Sequence, residues 1–303
     1  MHFNETELTE AATTVIKNIS STRLHLPHPI PYQGSKRHLA PQILALIHGR
    51  NFHRFYEPFA GSAAITIAAS NAKLADEYII GDSLGPLIGI WHQILTAPHI
   101  LANSYKRLWG NQLQSDDDYY NRIRDEFNRS QEPASFLYLL TRCVKNALRF
   151  NQQGGFNQSH DKRRLGMHPE KMRHEILEAS ALLARCTTTT CADFESTIAS
   201  SNQDDIVYMD PPYQGTSTGS DRRYHQGLNR DRLIAALTKL NQQKVPFILS
   251  YDGRCGDKTY GDILPEELNL THLELIAGRS AQATLSGRAD TTIESLYVSR
   301  NLI

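Results

Sequence analysis

Asp205-Ile206-Val207-Tyr208-Met209-Asp210-Pro211-Pro212-Tyr213 is a four-residue apolar run that ends on an acid and two prolines. A short, unbroken apolar run closed by turn residues reads as a strand buried on both faces, the kind found inside parallel sheets. It places the Asp210 carboxylate at the carboxyl edge of such a sheet, where open α/β folds bind their ligands. The prolines stiffen the chain and have no N–H to donate. The Pro211 carbonyl and the Asp210 carboxylate are then two outward acceptors, and Tyr213 adds a flat face. Two acceptors beside an aromatic plate suit a planar ring that carries an exocyclic amino group. The same string also reads as a rigid loop in which Asp210 is only a cap.

Outward from this run the pattern repeats. Strand signals stand at 54–59, 77–82, 187–193, 245–252, 272–277 and 293–299, and helical spacing recurs at 36–48 and 229–243. Strands alternating with helices predict an α/β fold with a doubly wound, mostly parallel sheet. Residues 96–185 lack strand signals and read as four helical stretches, broken by a glycine-rich segment at 151–166. The expected organisation is a sheet domain of residues 25–95 and 186–303, split by a helical insertion at 96–185. An extension at 1–24 contains a short amphipathic helix over 5–19, and prolines 27, 29 and 31 keep the following lead-in extended.

Three further strings bear on chemistry. Tyr56-Glu57-Pro58-Phe59-Ala60-Gly61-Ser62-Ala63-Ala64 runs from strand through small residues into a helix, letting backbone N–H groups approach a ligand. It lacks a full dinucleotide-binding glycine pattern. Asp82 closes the next strand and suits either the hydroxyls of a ribose or a helix N-cap. Tyr32-Gln33-Gly34-Ser35-Lys36 reads either as a clamp for a small carboxylate or as a surface turn, the latter favoured by the string alone. In Cys191-Ala192-Asp193-Phe194, the acid and the ring either meet an adenine or cap a strand end.

In their order, these strings resemble the Dam-type DNA adenine-N6 methyltransferases, whose pattern is an aromatic-x-G-G-K turn, then E-P-F-x-G-x-G, then D-P-P-Y. The resemblance covers about residues 28–300. It includes Asp125 to Pro133 and the string Asn146-Ala147-Leu148-Arg149-Phe150-Asn151 through Gly154-Gly155-Phe156-Asn157. It implies a Rossmann-like, seven-stranded methyltransferase sheet with a hairpin-type last strand, a helical target-recognition domain, and S-adenosylmethionine as cofactor. By position, Tyr32 and Lys36 would lie beside the methionine part of the cofactor and Phe59 and Gly61 along its turn. Asp82 would hold its ribose, and Asp193 and Phe194 would sit near its adenine. Asp210, Pro211, Pro212 and Tyr213 would hold the target base, with Asp210 also bordering the cofactor. Arg149, Asn151, Asn157, Arg222, Arg223 and Arg288 are the candidate DNA contacts. Ser35 and Ala63 replace the second glycines of the first two motifs. The partner implied is double-stranded DNA, with a cognate restriction endonuclease as a further candidate. The setting implied is the cytoplasm of a bacterium, an archaeon or a phage-infected cell, and the protein a monomer or weak dimer. Rival targets are cytosine N4, an RNA base or a glutamine side chain; the rival class is a non-catalytic, cofactor-binding DNA module.

Composition bounds these readings. With 303 residues, 40% hydrophobic and 21% charged, the chain has material for a large core and is not a disordered sequence. No apolar run is long enough to span a bilayer, and the polar, acidic start does not read as a secretory signal. Four scattered cysteines form no C-x-x-C pair, so free thiols and no metal site are expected. Thirty-two basic and thirty-two acidic residues cancel, which at first disfavours nucleic acid. Residues 136–185, however, hold nine basic and four acidic side chains, while residues 186–303 hold eleven and fifteen. The positive segment lies in the insertion, where a DNA-backbone clamp would stand.

Overall fold

A computed structural model describes residues 26–212, 228–255, 258–260, 263–279 and 291–302. The expected 5–19 helix, Tyr213, Arg222, Arg223 and Arg288 lie outside the described residues. The strands are β1 (Phe52–Glu57), β2 (Ala75–Asp82), β3 (Thr187–Cys191), β4 (Ile206–Met209), β5 (Phe247–Cys255), β6 (Lys258–Tyr260), β7 (Thr271–Arg279) and β8 (Thr291–Val298). Seven of them form a sheet in the order β3-β2-β1-β4-β5-β8-β7, and the short β6, which has no clear sequence signal, pairs with β5. β1 to β5 run parallel, and β8 inserts antiparallel between β5 and β7. This is the mostly parallel sheet with a terminal hairpin that the motifs implied.

The chain builds outward from β1 to β3, then returns to β4 and builds the other way. The order therefore reverses between β1 and β4, and a crevice opens there at their carboxyl ends. Alternation along the strands assigns side chains to two layers. Phe55, Tyr78, Ile206, Tyr208, Ile248, Leu296 and Val298 share one core with helices α1 (Ala40–Ala45) and α2 (Ala64–Asn71). Tyr56, Val207, Met209, Phe247, Leu249 and Tyr251 face the opposite way. Their core includes α8 (Phe194–Ile198) and α9 (Arg230–Gln242). The expected 36–48 helix is instead a 3-10 turn, Lys36–His38, followed by α1. Pro41 stands in the first turn of α1, where its missing N–H is harmless.

Between β2 and β3 run α3 (Gly85–Thr96), α4 (Pro98–Gln112), α5 (Tyr119–Ser130), α6 (Pro133–Arg142) and α7 (Pro169–Leu183). Helix α6 buries eight of its ten residues. One apolar cluster joins Ala63, Ile67 and Ile80 of the sheet layer to Trp91 of α3, Tyr105 of α4, Phe127 of α5, Leu137 of α6 and Ile176 of α7. No described helix is long and apolar enough to cross a membrane.

Candidate active site

The crevice is lined by the chain that leaves each central strand. After β1, Gly61 takes a left-handed φ of 50°. A Cβ there would come within 3.1 Å of the Tyr32 ring, so both conformation and contact favour glycine. The Gly61 carbonyl accepts from the buried Trp91 indole at 3.0 Å, and its N–H donates to Asp82 Oδ2 at 3.1 Å. The second Asp82 oxygen accepts from Leu84 N–H at 2.9 Å. Leu84, not Asp82, is the N-cap residue of α3. Asp82 thus ties the β1 turn to the end of β2, and burial pushes its carboxyl upward against the pull of these N–H groups.

The Tyr32–Lys36 string is a turn with Gln33 and Gly34 exposed at its tip, but its end is buried. Gly34 is left-handed, and Ser35 Oγ, at a motif glycine's position, accepts from Ser62 Oγ at 2.8 Å. Lys36 is only 6% exposed. Its ammonium lies 3.1 Å from Asp210 Oδ1 and 3.3 Å from Glu294 Oε2, carboxylates that are 20% and 14% exposed. Burial raises Asp210 to about 6; Lys36 pulls it down and Glu294 pushes it up. Glu57, at the end of β1, is raised by burial to about 8, with Asp210 adding to the effect. It accepts from the backbone N–H and hydroxyl of Thr66, satisfying an otherwise unpaired donor in the first turn of α2.

At the β3 edge, the strand stops at Cys191 because Asp193 N-caps α8 through Glu195 N–H and Ser196 N–H. Asp193 also pairs with Arg232. Burial alone would raise its carboxyl, but Arg232 and the cap hold it below the usual range. Phe194 is 4% exposed. It stacks on Phe59 with centroids 5.2 Å apart, and the Arg232 guanidinium stands 5.5 Å from its ring. The motif residues Tyr32, Phe59, Gly61, Asp82, Asp193 and Phe194 thus form a connected arc over β1, β2 and β3, and Lys36 leads from it to Asp210. Two acids, aromatic rings and a glycine turn are a donor set that fits a nucleoside-bearing cofactor.

In the insertion, Phe150 and Phe156 bridge antiparallel. Asn151 N–H donates to Gly155 O at 2.8 Å, and Asn157 N–H to Arg149 O at 2.9 Å. Phe150 and Phe156 turn inward toward Phe127 and Phe136. Alternation leaves Arg149, Asn151 and Asn157 exposed on the other side. Asn151 Oδ1 is engaged by Gln153 N–H and Gly155 N–H, so this oxygen stabilises its own turn. Arg163 and Arg164 both pair with Asp161. Just before this hairpin, Asn146 O accepts from Gln33 N–H at 3.2 Å, which ties the segment to the Tyr32–Lys36 turn.

Glu294 and Trp91 escaped sequence reasoning. Glu294 alternates with Leu296 and Val298 on an inward-facing register of β8, and an acid in that register was the available signal.

A family profile described as D12 class N6 adenine-specific DNA methyltransferase matches residues 32–277. The chain belongs to this family. It is similar to the retron Ec67 DNA adenine methylase of Escherichia coli, 30% identical over 65% of this chain and 68% of that protein. It is also similar to a DNA adenine methylase of Serratia marcescens, 28% identical over 56% of this chain and 61% of the relative. A type II methyltransferase of Lactococcus lactis, M1.LlaDCHI, is 23% identical over 92% of this chain and 98% of its own length. The chain thus spans about two thirds or less of the first two relatives and nearly all of the third. The α/β sheet and the enzyme class expected from the motifs are those of the D12 class. Glu294 lies beyond the matched residues.

Proposed function

We propose that the chain transfers a methyl group from S-adenosylmethionine to adenine N6 at a specific sequence in duplex DNA. The observation that carries this reading is the Asp210 carboxylate. It stands at the strand-order reversal, partly exposed and paired with the buried ammonium of Lys36, which follows Tyr32 of the arc by four residues. Tyr32, Phe59, Gly61, Asp82, Asp193 and Phe194 are the residues that would hold the cofactor, with Lys36 beside its methionine end. When bound, S-adenosylmethionine supplies a methyl group already activated on a sulfonium.

The chain's own residues have three tasks. Adenine N6 is a weak nucleophile because its lone pair is conjugated with the ring. Asp210 and the Pro211 carbonyl accept its two N–H bonds, orient the nitrogen and stabilise the positive charge that grows there. Asp210 would hold the amine while it takes up the methyl group that the cofactor would supply, and the methylated amine would then pass one proton to water, so Asp210 need not remove it beforehand. The base cannot be reached inside a duplex and must be flipped out, with Tyr213 as its stacking partner. Arg149, Asn151 and Asn157 would approach the DNA from the hairpin, joined by Arg222, Arg223 and Arg288. The type II name of the Lactococcus relative supports a restriction endonuclease as a biological partner, and a cytoplasmic monomer or weak dimer suits such a task.

The test is transfer of labelled methyl to duplex DNA, GATC sites first, followed by digestion to nucleosides and mass identification. N6-methyladenine is expected, and Asp210→Ala should abolish it while preserving the fold. Methylated cytosine, labelled RNA or labelled protein would favour a rival target. Cofactor binding without turnover on any DNA would favour the non-catalytic module.

A further inference from the structure

Lys36 is buried between two carboxylates, and only one of them belongs to the D-P-P-Y motif. A buried ammonium and a single carboxylate form a neutral pair: their charges cancel, and the ammonium holds one carboxylate oxygen, here Asp210 Oδ1, while the other can still accept. With Glu294 3.3 Å away on the other side, the ammonium is shared. Among the described residues, the charged or titratable groups facing Asp210 are Lys36 from the 3-10 turn, Glu294 from β8 and Glu57 from the end of β1. Glu57, raised to about 8, is neutral at pH 7. Among these described groups, one ammonium stands against two carboxylates, an excess of one negative charge. Without Glu294 that excess is gone, and Asp210 faces the positive charge on the amine with its own charge already matched by Lys36.

We propose that Glu294 is a positioning residue for methyl transfer: by sharing the Lys36 ammonium, it loosens that ammonium's hold on Asp210 and adds a second negative charge beside the carboxylate that accepts the target amine. This rests on the methyltransferase reading above and extends it to a strand outside the family match. Glu294 acts through Lys36, and its register on β8, opposite the kinked Gly253, sets its reach. A Cβ at Gly253 would lie 2.6 Å from the Ile293 carbonyl, so the backbones meet closely just where Glu294 projects.

The experiment compares wild type, Glu294→Gln and Glu294→Asp in single-turnover methyl transfer from pH 5 to 9. It also follows the Asp210 carboxyl by carbon NMR titration in the free protein. Glu294→Gln should lower the plateau rate about 10- to 100-fold, as expected when a reacting group is misplaced. Its Asp210 midpoint should fall below about 6, because the neighbour that raises it has gone. Glu294→Asp should recover part of the rate and most of the midpoint. A folded Glu294→Gln protein with wild-type rate and midpoint overturns the proposal. If wild type methylates no DNA, the functional reading fails by itself. The midpoints still decide whether Glu294 governs Asp210, and an unmoved midpoint overturns that coupling.

Discussion

At Asp210 the sign of a pH dependence follows from what the carboxyl must do. It offers both oxygens as acceptors, and a negative charge to the amine, only when ionised, and burial raises it to about 6. Methyl transfer should therefore be flat above that value and fall as pH drops through it. An ordinary carboxylate would place the acid limb near ~4; a single-turnover profile with its limb there would remove Asp210 as the titrating group. Ala63 offers a second test. It stands at a motif glycine's position with φ 47° and ψ 36°, a left-handed conformation that costs a residue with a Cβ about 1–2 kcal/mol. Glycine's greater freedom in the unfolded chain offsets part of the relief. Ala63→Gly should therefore raise the urea midpoint by an amount equivalent to about 0.5–1 kcal/mol; a lower midpoint would contradict the strain. At this scale the sequence was legible where chemistry demands a residue type, as at Asp210 and Gly61. It was opaque where a partner comes from a distant strand, as Glu294 does for Lys36.

Elements inherit their ends from such contacts. Helix α2 has no side-chain cap of its own, and Glu57 from β1 accepts from its first turn. The unfolded Glu57 ionises near 4.5, while the folded one keeps its proton to about 8. Stability from this group is full below the lower value and is lost as pH rises toward the upper one. Glu57→Gln keeps an acceptor for Thr66 and removes that slope. Its melting temperature relative to wild type should rise between pH 5 and pH 8; a constant difference would refute the assignment. In the hairpin, Asn128 of α5 donates to Phe156 O at 3.0 Å and accepts from Phe156 N–H at 2.8 Å, as a neighbouring strand would. Asn128→Ala leaves both groups unpaired and should cost about 1–3 kcal/mol in urea denaturation; a neutral substitution would mean that water replaces the amide. Seven strands, the helical stretches of 96–185 and α9 were readable from strand-like runs and helical spacing. The 3-10 turn and β6 were not, because three residues carry no period.

Across the molecule, formal neutrality hides a positive insertion against an acidic C-terminal part. Binding carried by a few local cations should give a shallow salt dependence. The slope of log affinity against log salt falls by about 0.9 for each phosphate contact on duplex DNA. Arg149→Ala should reduce that slope by about one if Arg149 meets a phosphate, which filter-binding or anisotropy titrations at several salt concentrations can measure. An unchanged slope would place Arg149 away from the backbone. The doubly wound, mostly parallel sheet followed from strand–helix alternation, and its hairpin-type last strand from the family resemblance. How tightly the insertion joins the sheet did not, because the cluster running from Ile67 through Trp91 to Leu137 depends on helix packing that no local pattern encodes.

The two sides of the 149–157 hairpin also answer to different selective pressures. Phe150 and Phe156 are stitched into the aromatic stack with Phe127 and Phe136, so exchanging them would be felt as misfolding. Arg149 and Asn157 face outward. An engineer seeking a new target sequence can randomise them and leave the inward pair untouched. Asn151 belongs to neither class, since its side chain holds the turn; a library that spares it should yield more folded members than one that does not.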